Sequence, residues 1–222
     1  MPASAPPEVV LKDVSKAFDG KPVLRGVNLT ISSGEVLAIV GGSGCGKTVL
    51  LKLIMGHYPP DRGSVLVADH DVPPDASGAA PLRDMAHLSD AQLDGIRTHW
   101  AIVFQRNALV TGDVFHNLAV LPREVKGMTG AQVLPVARKV LQEVGLDPDA
   151  VMHRDREELS GGMAKRVAIA RALVMDPVII MYDEPTAGLD PEMGAQIDEL
   201  IAATHRMQPG FAADRKSTRL NS

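Results

Sequence analysis

The chain has 222 residues, of which 45% are hydrophobic and 3% are aromatic, so a large core has to be built from aliphatic side chains. Its formal net charge of −4 gives no electrostatic reason to expect nucleic-acid binding. Cys45 is the single cysteine, which excludes an intrachain disulfide, and no apolar run approaches the roughly 18–20 residues that span a bilayer. We therefore expect a soluble protein that reaches a membrane only through a partner.

The first half of the chain predicts four strands and two helices. Apolar or alternating runs predict strands at residues 9–11, 27–31, 36–40 and 63–68. Asp19-Gly20 is a turn signal, so the first two strands are expected to form an antiparallel flap. The run at 36–40 is apolar throughout, which is typical of a strand buried on both faces. The predicted helices cover residues 47–57 and 89–97, and residues 69–88 between them are expected to be a loose surface connection.

The second half alternates strands with helices. Strands are predicted at 101–104 and 178–182, and helices at 129–144, 161–175 and 191–207. Such alternation favours an α/β fold with a parallel sheet.

A glycine-rich loop follows the strand at 36–40. Residues 41–48 match G-x-x-x-x-G-K-[ST] in full, between a predicted strand and a predicted helix. Glycines let successive amide groups surround phosphates, Lys47 brings a positive charge to the outer phosphates, and Thr48 offers a hydroxyl to Mg²⁺. A glycine turn that only caps a helix is the alternative, but it does not explain eight residues in register. The predicted ATP-binding residues here are Gly41, Gly42, Ser43, Gly44, Cys45, Gly46, Lys47, Thr48 and Val49.

Two carboxylates end the apolar strand at 178–182. Asp183 is placed to hold Mg²⁺, and Glu184 to act as general base toward the attacking water. A solvated turn is the usual explanation of an isolated Asp-Glu pair, and the upstream phosphate loop argues against it here.

Residues 159–163 are Leu-Ser-Gly-Gly-Met at the start of a predicted helix. Backbone amides and the helix dipole favour an anion at such a position, so this turn is a second phosphate-binding surface. Two such surfaces far apart in one sequence suggest two chains that close on shared nucleotides.

This order of motifs resembles the nucleotide-binding subunit of ABC transporters over roughly residues 8–207. The resemblance implies a P-loop NTPase fold with a mixed, largely parallel core sheet, an N-terminal antiparallel subdomain and a helical subdomain at about 106–175. It implies one such domain over residues 8–213, preceded by a disordered segment at 1–7. ATP and Mg²⁺ are the implied cofactors.

The resemblance also assigns individual roles. Phe18 would stack on adenine, and Gln105 would contact Mg²⁺ and relay motion to the membrane subunit. Ser160, Gly161 and Gly162 would contact the outer phosphate bound by the opposite chain, and Asp190 would lie in the loop that crosses the dimer interface. Taken alone, Phe18 could be an ordinary strand-end aromatic and Gln105 an ordinary surface residue.

Within the family, Met-Ala-Lys-Arg after the Ser-Gly-Gly turn is similar to the ATPases of Mce-type lipid transport systems. This similarity implies a homodimer on the cytoplasmic face of the inner membrane, bound to permease subunits and working with a periplasmic lipid-binding protein of the Mce type. Arg156, where relatives often have proline, departs from the pattern. Another ABC importer or exporter, a non-transport ABC ATPase in DNA repair or translation, and a catalytically dead binding module are the alternatives.

The end of the chain changes character. His205 invites assignment as the switch histidine of the family, but we expect it on a helix surface, because no turn and strand precede it. Residues 214–222 correspond, codon by codon, to a common sequencing-adapter oligonucleotide, so we expect a non-native tail and a truncated domain; a genuine basic tail is the alternative. Without the strand that would lie beside residues 36–40, the last core strands would be missing. We then expect weak ATP binding and no turnover by the chain as written.

Overall fold

The computed structural model describes residues 5–42, 44–206 and 215–219. Contacts within the chain divide it into two compact units: the first holds the described residues up to Arg97 together with 215–219, and the second holds those from Thr98 onward to Arg206. The phosphate loop therefore belongs to the first unit, while Gln105, the Ser-Gly-Gly turn and Asp183-Glu184 belong to the second. The single domain over 8–213 stays a prediction.

The first unit contains the predicted antiparallel flap. β1 (Pro7–Phe18) and β2 (Lys21–Ser32) pair antiparallel on either side of Asp19-Gly20. β4 (Arg62–Ala68) pairs with β1, and β5 (Leu82–Asp84) pairs with β4, so the sheet order is β2-β1-β4-β5. Apolar side chains at alternate positions are buried on this sheet, as period-2 patterning requires: Val9, Leu11, Val65 and Val67.

The segment at 69–88 is more ordered than predicted. Besides β5 it contains a 3-10 turn at Met85–His87, at whose start the Asp84 side chain accepts from the Ala86 amide. Asp75 accepts from the amides of Ser77 and Ala79 and from the Ser77 hydroxyl, and these bonds hold the pKa of its carboxyl below the usual range. Side-chain turns of this kind order a backbone without any apolar period, which is why periodicity missed them.

β3 (Val36–Val40) leads through the phosphate loop into α1 (Lys47–Ile54), as predicted. β8 (Arg215–Arg219) pairs with β3 in parallel, Val36 lying opposite Arg215. The prediction that no strand lies beside β3 was therefore wrong for residues 215–219; the origin of the tail stays a prediction. Burial of β3 on both faces was also wrong, since Val40 is 53% exposed. Pairing with β8 satisfies one edge of β3 but covers neither face fully.

The second unit is built around a helical core. Its helices are α3 (Val114–Lys126), α4 (Gly130–Glu143), α5 (Pro148–Val151) and α6 (Gly161–Leu173). Thr129 and Gln132 form a capping box that starts α4. The sequence prediction lacked α3, which Asp113 caps by accepting from the His116 amide. Fully buried aliphatic side chains join these helices: Leu118, Val133, Leu141 and Ile169.

A parallel strand pair completes this unit. β6 (Trp100–Val103) follows α2 (Asp90–Thr98) and pairs with β7 (Ile179–Tyr182), and α7 (Pro191–Arg206) comes after β7. Across the described ranges, the parallel strands thus occur as two pairs, β3-β8 and β6-β7. None of the helices in those ranges combines the length and apolar character needed to cross a membrane.

Candidate nucleotide-binding site

At Gly46, the residue before Lys47, the phosphate loop in the first unit has a backbone conformation that residues other than glycine rarely adopt. Gly46 has φ 96°, and a Cβ there would lie 2.9 Å from Leu24 Cδ2. Gly46 is the N-cap of α1 and has no side chain to cap it, and a helix N-terminus of this kind is an arrangement that binds anions. Thr48 and Val49 lie in the first turn of α1, and Ser43 falls outside the described residues.

Lys47 already contacts its own loop. Its Nζ donates to the carbonyl oxygens of Gly41 at 2.8 Å and Gly42 at 3.1 Å. The ammonium group is therefore held on the loop side of α1, where an outer phosphate would compete with these two carbonyls for it. This geometry fits the predicted binding of ATP.

Cys45 provides a direct probe of this loop. Its thiol is free and half-buried, and its amide donates to Gly42 O at 3.3 Å. We expect saturating MgATP to slow alkylation of Cys45 by about tenfold or more, because the bound nucleotide covers the loop. Iodoacetamide labelling followed by mass spectrometry measures the rate, and the urea-unfolded chain is the control. Equal rates with and without MgATP in the folded chain would contradict the prediction.

In the second unit, the predicted acidic pair lies at the carboxyl edge of a strand pair. The Asp183 amide donates to Val103 O at 3.0 Å, which extends the β6-β7 ladder by one residue. Because these strands are parallel, Gln105 and Asp183 both follow carboxyl ends at the same edge, where α/β proteins bind ligands. The structure thus brings Gln105 and Asp183-Glu184 to one edge, and their oxygen donors suit Mg²⁺.

Glu184 has a feature that the sequence did not reveal. It is exposed and has φ 48°, in the left-handed region that non-glycine residues rarely adopt. Strain of this kind costs about 1–3 kcal/mol and concentrates at functional positions. With this φ, the backbone at Glu184 leaves the extended conformation of β7.

Tyr182, the residue before the acidic pair, packs against His205 of α7. Their rings meet edge to face at 6.1 Å, and burial lowers the pKa of His205. The prediction that His205 lies on the helix α7 is confirmed; the side chain is half-buried there, with its ring against Tyr182. Burial also raises the pKa of Tyr182 to about 12, and the neighbouring Thr204 hydroxyl offsets this only in part.

The Tyr182 hydroxyl should therefore titrate late. The chain has two tyrosines, and we expect one phenolate transition near pH 12 that Tyr182→Phe removes. Because the pKa is higher in the folded state, the associated stability is present below about pH 10 and is lost as the pH rises toward 12, by about 2–3 kcal/mol in total. Tyrosinate absorbance against pH measures the transition. If Tyr182→Phe shows the same rise in absorbance near pH 12 as the wild type, the assignment of this transition to Tyr182 is wrong.

The Ser-Gly-Gly turn starts α6, and a contact from α7 supports it. Ser160 Oγ accepts from the Met163 amide at 3.3 Å, so Ser160 is the N-cap. A Cβ on buried Gly162 would overlap the Met193 sulfur, whereas Gly161 has open space around it. Asp190 in turn caps α7, accepting from the Met193 amide at 2.9 Å. Ser160 and Asp190 thus have structural roles, and their contacts with a partner's nucleotide stay predictions.

Phe18 ends β1 in the first unit and is 37% exposed. Its ring meets the ring of Tyr58 edge to face at 5.4 Å, and Lys16 Nζ lies 5.6 Å from its centroid. Sequence reasoning missed Tyr58, although it is an isolated aromatic shortly after α1. An exposed aromatic supported in this way is suited to stacking on a base, and the adenine contact of Phe18 stays a prediction.

The fold and the phosphate loop define a P-loop nucleotide-binding protein, and comparison with known proteins gives its family. Residues 24–187 match the family described as ABC transporter. The methionine import ATP-binding protein MetN of Caulobacter vibrioides is 36% identical over 200 residues, covering 89% of this chain and 56% of that protein. The chain belongs to the ABC transporter family.

Other similarities agree with this assignment. The L-cystine transport system ATP-binding protein TcyN of Escherichia coli is 37% identical over 218 residues, covering 93% of this chain and 82% of that protein. The protein TRIGALACTOSYLDIACYLGLYCEROL 3, chloroplastic, of Arabidopsis thaliana is 36% identical over 202 residues, covering 87% and 54%. The chain thus spans little more than half the length of two of these relatives.

Among solved structures, the ATP-binding cassette MJ0796, described as a dimeric post-hydrolysis state bound to ADP and Pi, is similar with a TM-score of 0.72 and 28% identity. The match covers 96% of this chain and 88% of that one. Its agreement with the present chain confirms the predicted ABC ATPase fold.

Proposed function

We propose that this chain is the ATP-binding and hydrolysing subunit of an ABC transporter that imports a small solute. The observation that carries the proposal is the phosphate loop, in which Gly46 is packed against Leu24 and the Lys47 ammonium already lies on the loop carbonyls. Lys47 neutralises charge on the outer phosphates. Glu184 accepts the proton of the attacking water.

Mg²⁺ is the second proposed cofactor. In the second unit, Gln105 and Asp183 would hold it, and when bound the ion would draw electron density from the phosphate oxygens. The hard oxygen donors of Gln105 and Asp183 at one strand edge support this assignment. The Thr48 hydroxyl, in the first unit, stays a ligand predicted from the sequence.

The proposed assembly is a homodimer bound to permease subunits, peripheral to the cytoplasmic face of the membrane. The dimeric description of the similar cassette supports the first part. The methionine and L-cystine transport named for two of the relatives supports an amino-acid importer. A lipid transporter is the second candidate, supported by the name of the Arabidopsis relative and by the Met-Ala-Lys-Arg sequence. A periplasmic lipid-binding partner belongs to that second candidate.

Calorimetry and phosphate release test the first proposal on the purified 222-residue chain and on Glu184→Gln. We expect both proteins to bind MgATP. Phosphate release that Glu184→Gln lowers by about 100-fold or more would establish hydrolysis and would contradict the expectation, from the sequence, of no turnover. Binding without release would uphold that expectation and contradict the hydrolysing part of the proposal for this chain. Failure of the folded chain to bind MgATP would contradict the proposal itself.

Uptake measurements separate the two substrate classes. The test uses cells of the organism that encodes this chain, with Glu184→Gln in the chromosomal gene. If the chain serves an amino-acid importer, we expect these cells to lose uptake of labelled methionine or cystine and to keep a normal lipid distribution. If it serves a lipid transporter, we expect normal amino-acid uptake and an altered lipid distribution.

A further inference from the structure

The main chain that carries Gln105 is held by cationic side chains. This stretch, the Gln105 segment (residues 104–109), lies between β6 and α3 and has no regular secondary structure. Lys165 Nζ donates to Phe104 O at 3.2 Å and Gln105 O at 2.9 Å. At the other end of the segment, Arg171 donates to Ala108 O at 2.8 Å and Asn107 O at 3.5 Å.

Both cations come from one helix. Lys165 and Arg171 lie on α6, six residues and therefore about 9 Å apart along its axis. The beginning and the end of the Gln105 segment are consequently fastened to the same rigid element. That element starts at the Ser160 cap and the Gly161-Gly162 turn.

Burying the charged side chain of Lys165 costs free energy, so the presence of a lysine at this position needs an explanation. Lys165 is 2% exposed, and the partners of its ammonium group in the described residues are carbonyl oxygens rather than carboxylates. Burial lowers the pKa of Lys165 and that of Arg171. An apolar side chain would fill the same space without this desolvation penalty, so general packing does not explain a lysine here.

We propose that Lys165 and Arg171 are positioning residues that fasten the Gln105 segment to α6, so that the Gln105 side chain and the Ser160–Gly162 turn move as one body. The inference rests on the proposed function for the role of Gln105 at Mg²⁺. If the proposed function holds, a displacement of the Ser160–Gly162 turn by a partner's nucleotide also displaces Gln105, the proposed Mg²⁺ ligand of the same chain.

Hydrogen exchange tests the fastening directly. In Lys165→Met, which keeps the length and apolar stem of the side chain, we expect amide exchange in residues 104–109 to rise by about tenfold, because two charged hydrogen bonds are lost. Lys165→Arg should restore most of the protection. The matched control is Lys126→Met, which removes a lysine bond to Met175 O of 2.7 Å elsewhere in the same unit and should leave the Gln105 segment unchanged.

Three outcomes would overturn the inference: unchanged exchange in 104–109, an equal rise throughout the second unit including α4, or the same local rise in Lys126→Met. If Lys165→Met does not fold, Arg171→Met carries the same test at Asn107 and Ala108.

The magnesium dependence of ATP binding tests the link to Gln105. We expect the Mg²⁺-dependent gain in ATP affinity to fall about threefold or more in Lys165→Met, and to fall no further when Lys165→Met is added to Gln105→Ala. Additive losses in the double variant would show that Lys165 does not act through Gln105. If the wild-type chain binds no MgATP, the proposed function fails, and the exchange experiment alone still decides whether the segment is fastened.

Discussion

Alanine in place of Lys47 is expected to weaken MgATP binding by about 10- to 100-fold while the chain stays folded. The loss corresponds to about 1.5–3 kcal/mol, the range for a hydrogen bond to a charged group. In the structure the Lys47 ammonium donates to the loop carbonyls of Gly41 and Gly42. The fold of the first unit depends instead on its buried aliphatic side chains, so its stability should change little.

Calorimetry measures the affinity, and circular dichroism on heating checks the fold. Lys139→Ala is the control, because Lys139 is 76% exposed on α4 and pairs with Glu143 at 3.6 Å. It removes one positive charge without touching the phosphate loop. Equal affinities for wild type and a folded Lys47→Ala would contradict the placement of the nucleotide at this loop.

Gly162→Ala is expected to lower the free energy of unfolding by about 1–3 kcal/mol, the usual cost of overpacking. The added Cβ would overlap the Met193 sulfur on α7. Gly161→Ala is the matched control, since nothing lies within 4 Å of a Cβ at that position. There the change should be neutral or slightly stabilising, because alanine favours a helix over glycine.

Urea unfolding followed by circular dichroism measures both variants. Met193→Ala opens space for the added Cβ, so the cost of Gly162→Ala should nearly vanish in that background. An equal cost with and without Met193 would show that the strain arises elsewhere. A similar loss in Gly161→Ala would point to a general requirement for glycine in the turn.

Local patterns explain why much of the site could be predicted. The strand, loop and helix around Lys47 and the strand ending at Asp183 depend on neighbouring residues, so period, glycine content and register were enough to find them. The cap at Ser160 is local in the same sense. By contrast, α3 was missed because its apolar positions surround Pro122, and the segment at 69–88 was misjudged because side-chain turns order it.

The amino-acid sequence by itself determined the phosphate loop, the acidic strand end, the Ser-Gly-Gly turn and their order along the chain, because each is a short motif whose chemistry lies within a few residues. Tertiary structure alone decided the exposure of β3, the packing of Tyr182 against His205, the need for glycine at 162 and the fastening of the Gln105 segment by Lys165 and Arg171. These features join residues that are far apart in the chain. The free energy of such contacts depends on burial and distance, and neither is encoded in the spacing of a motif.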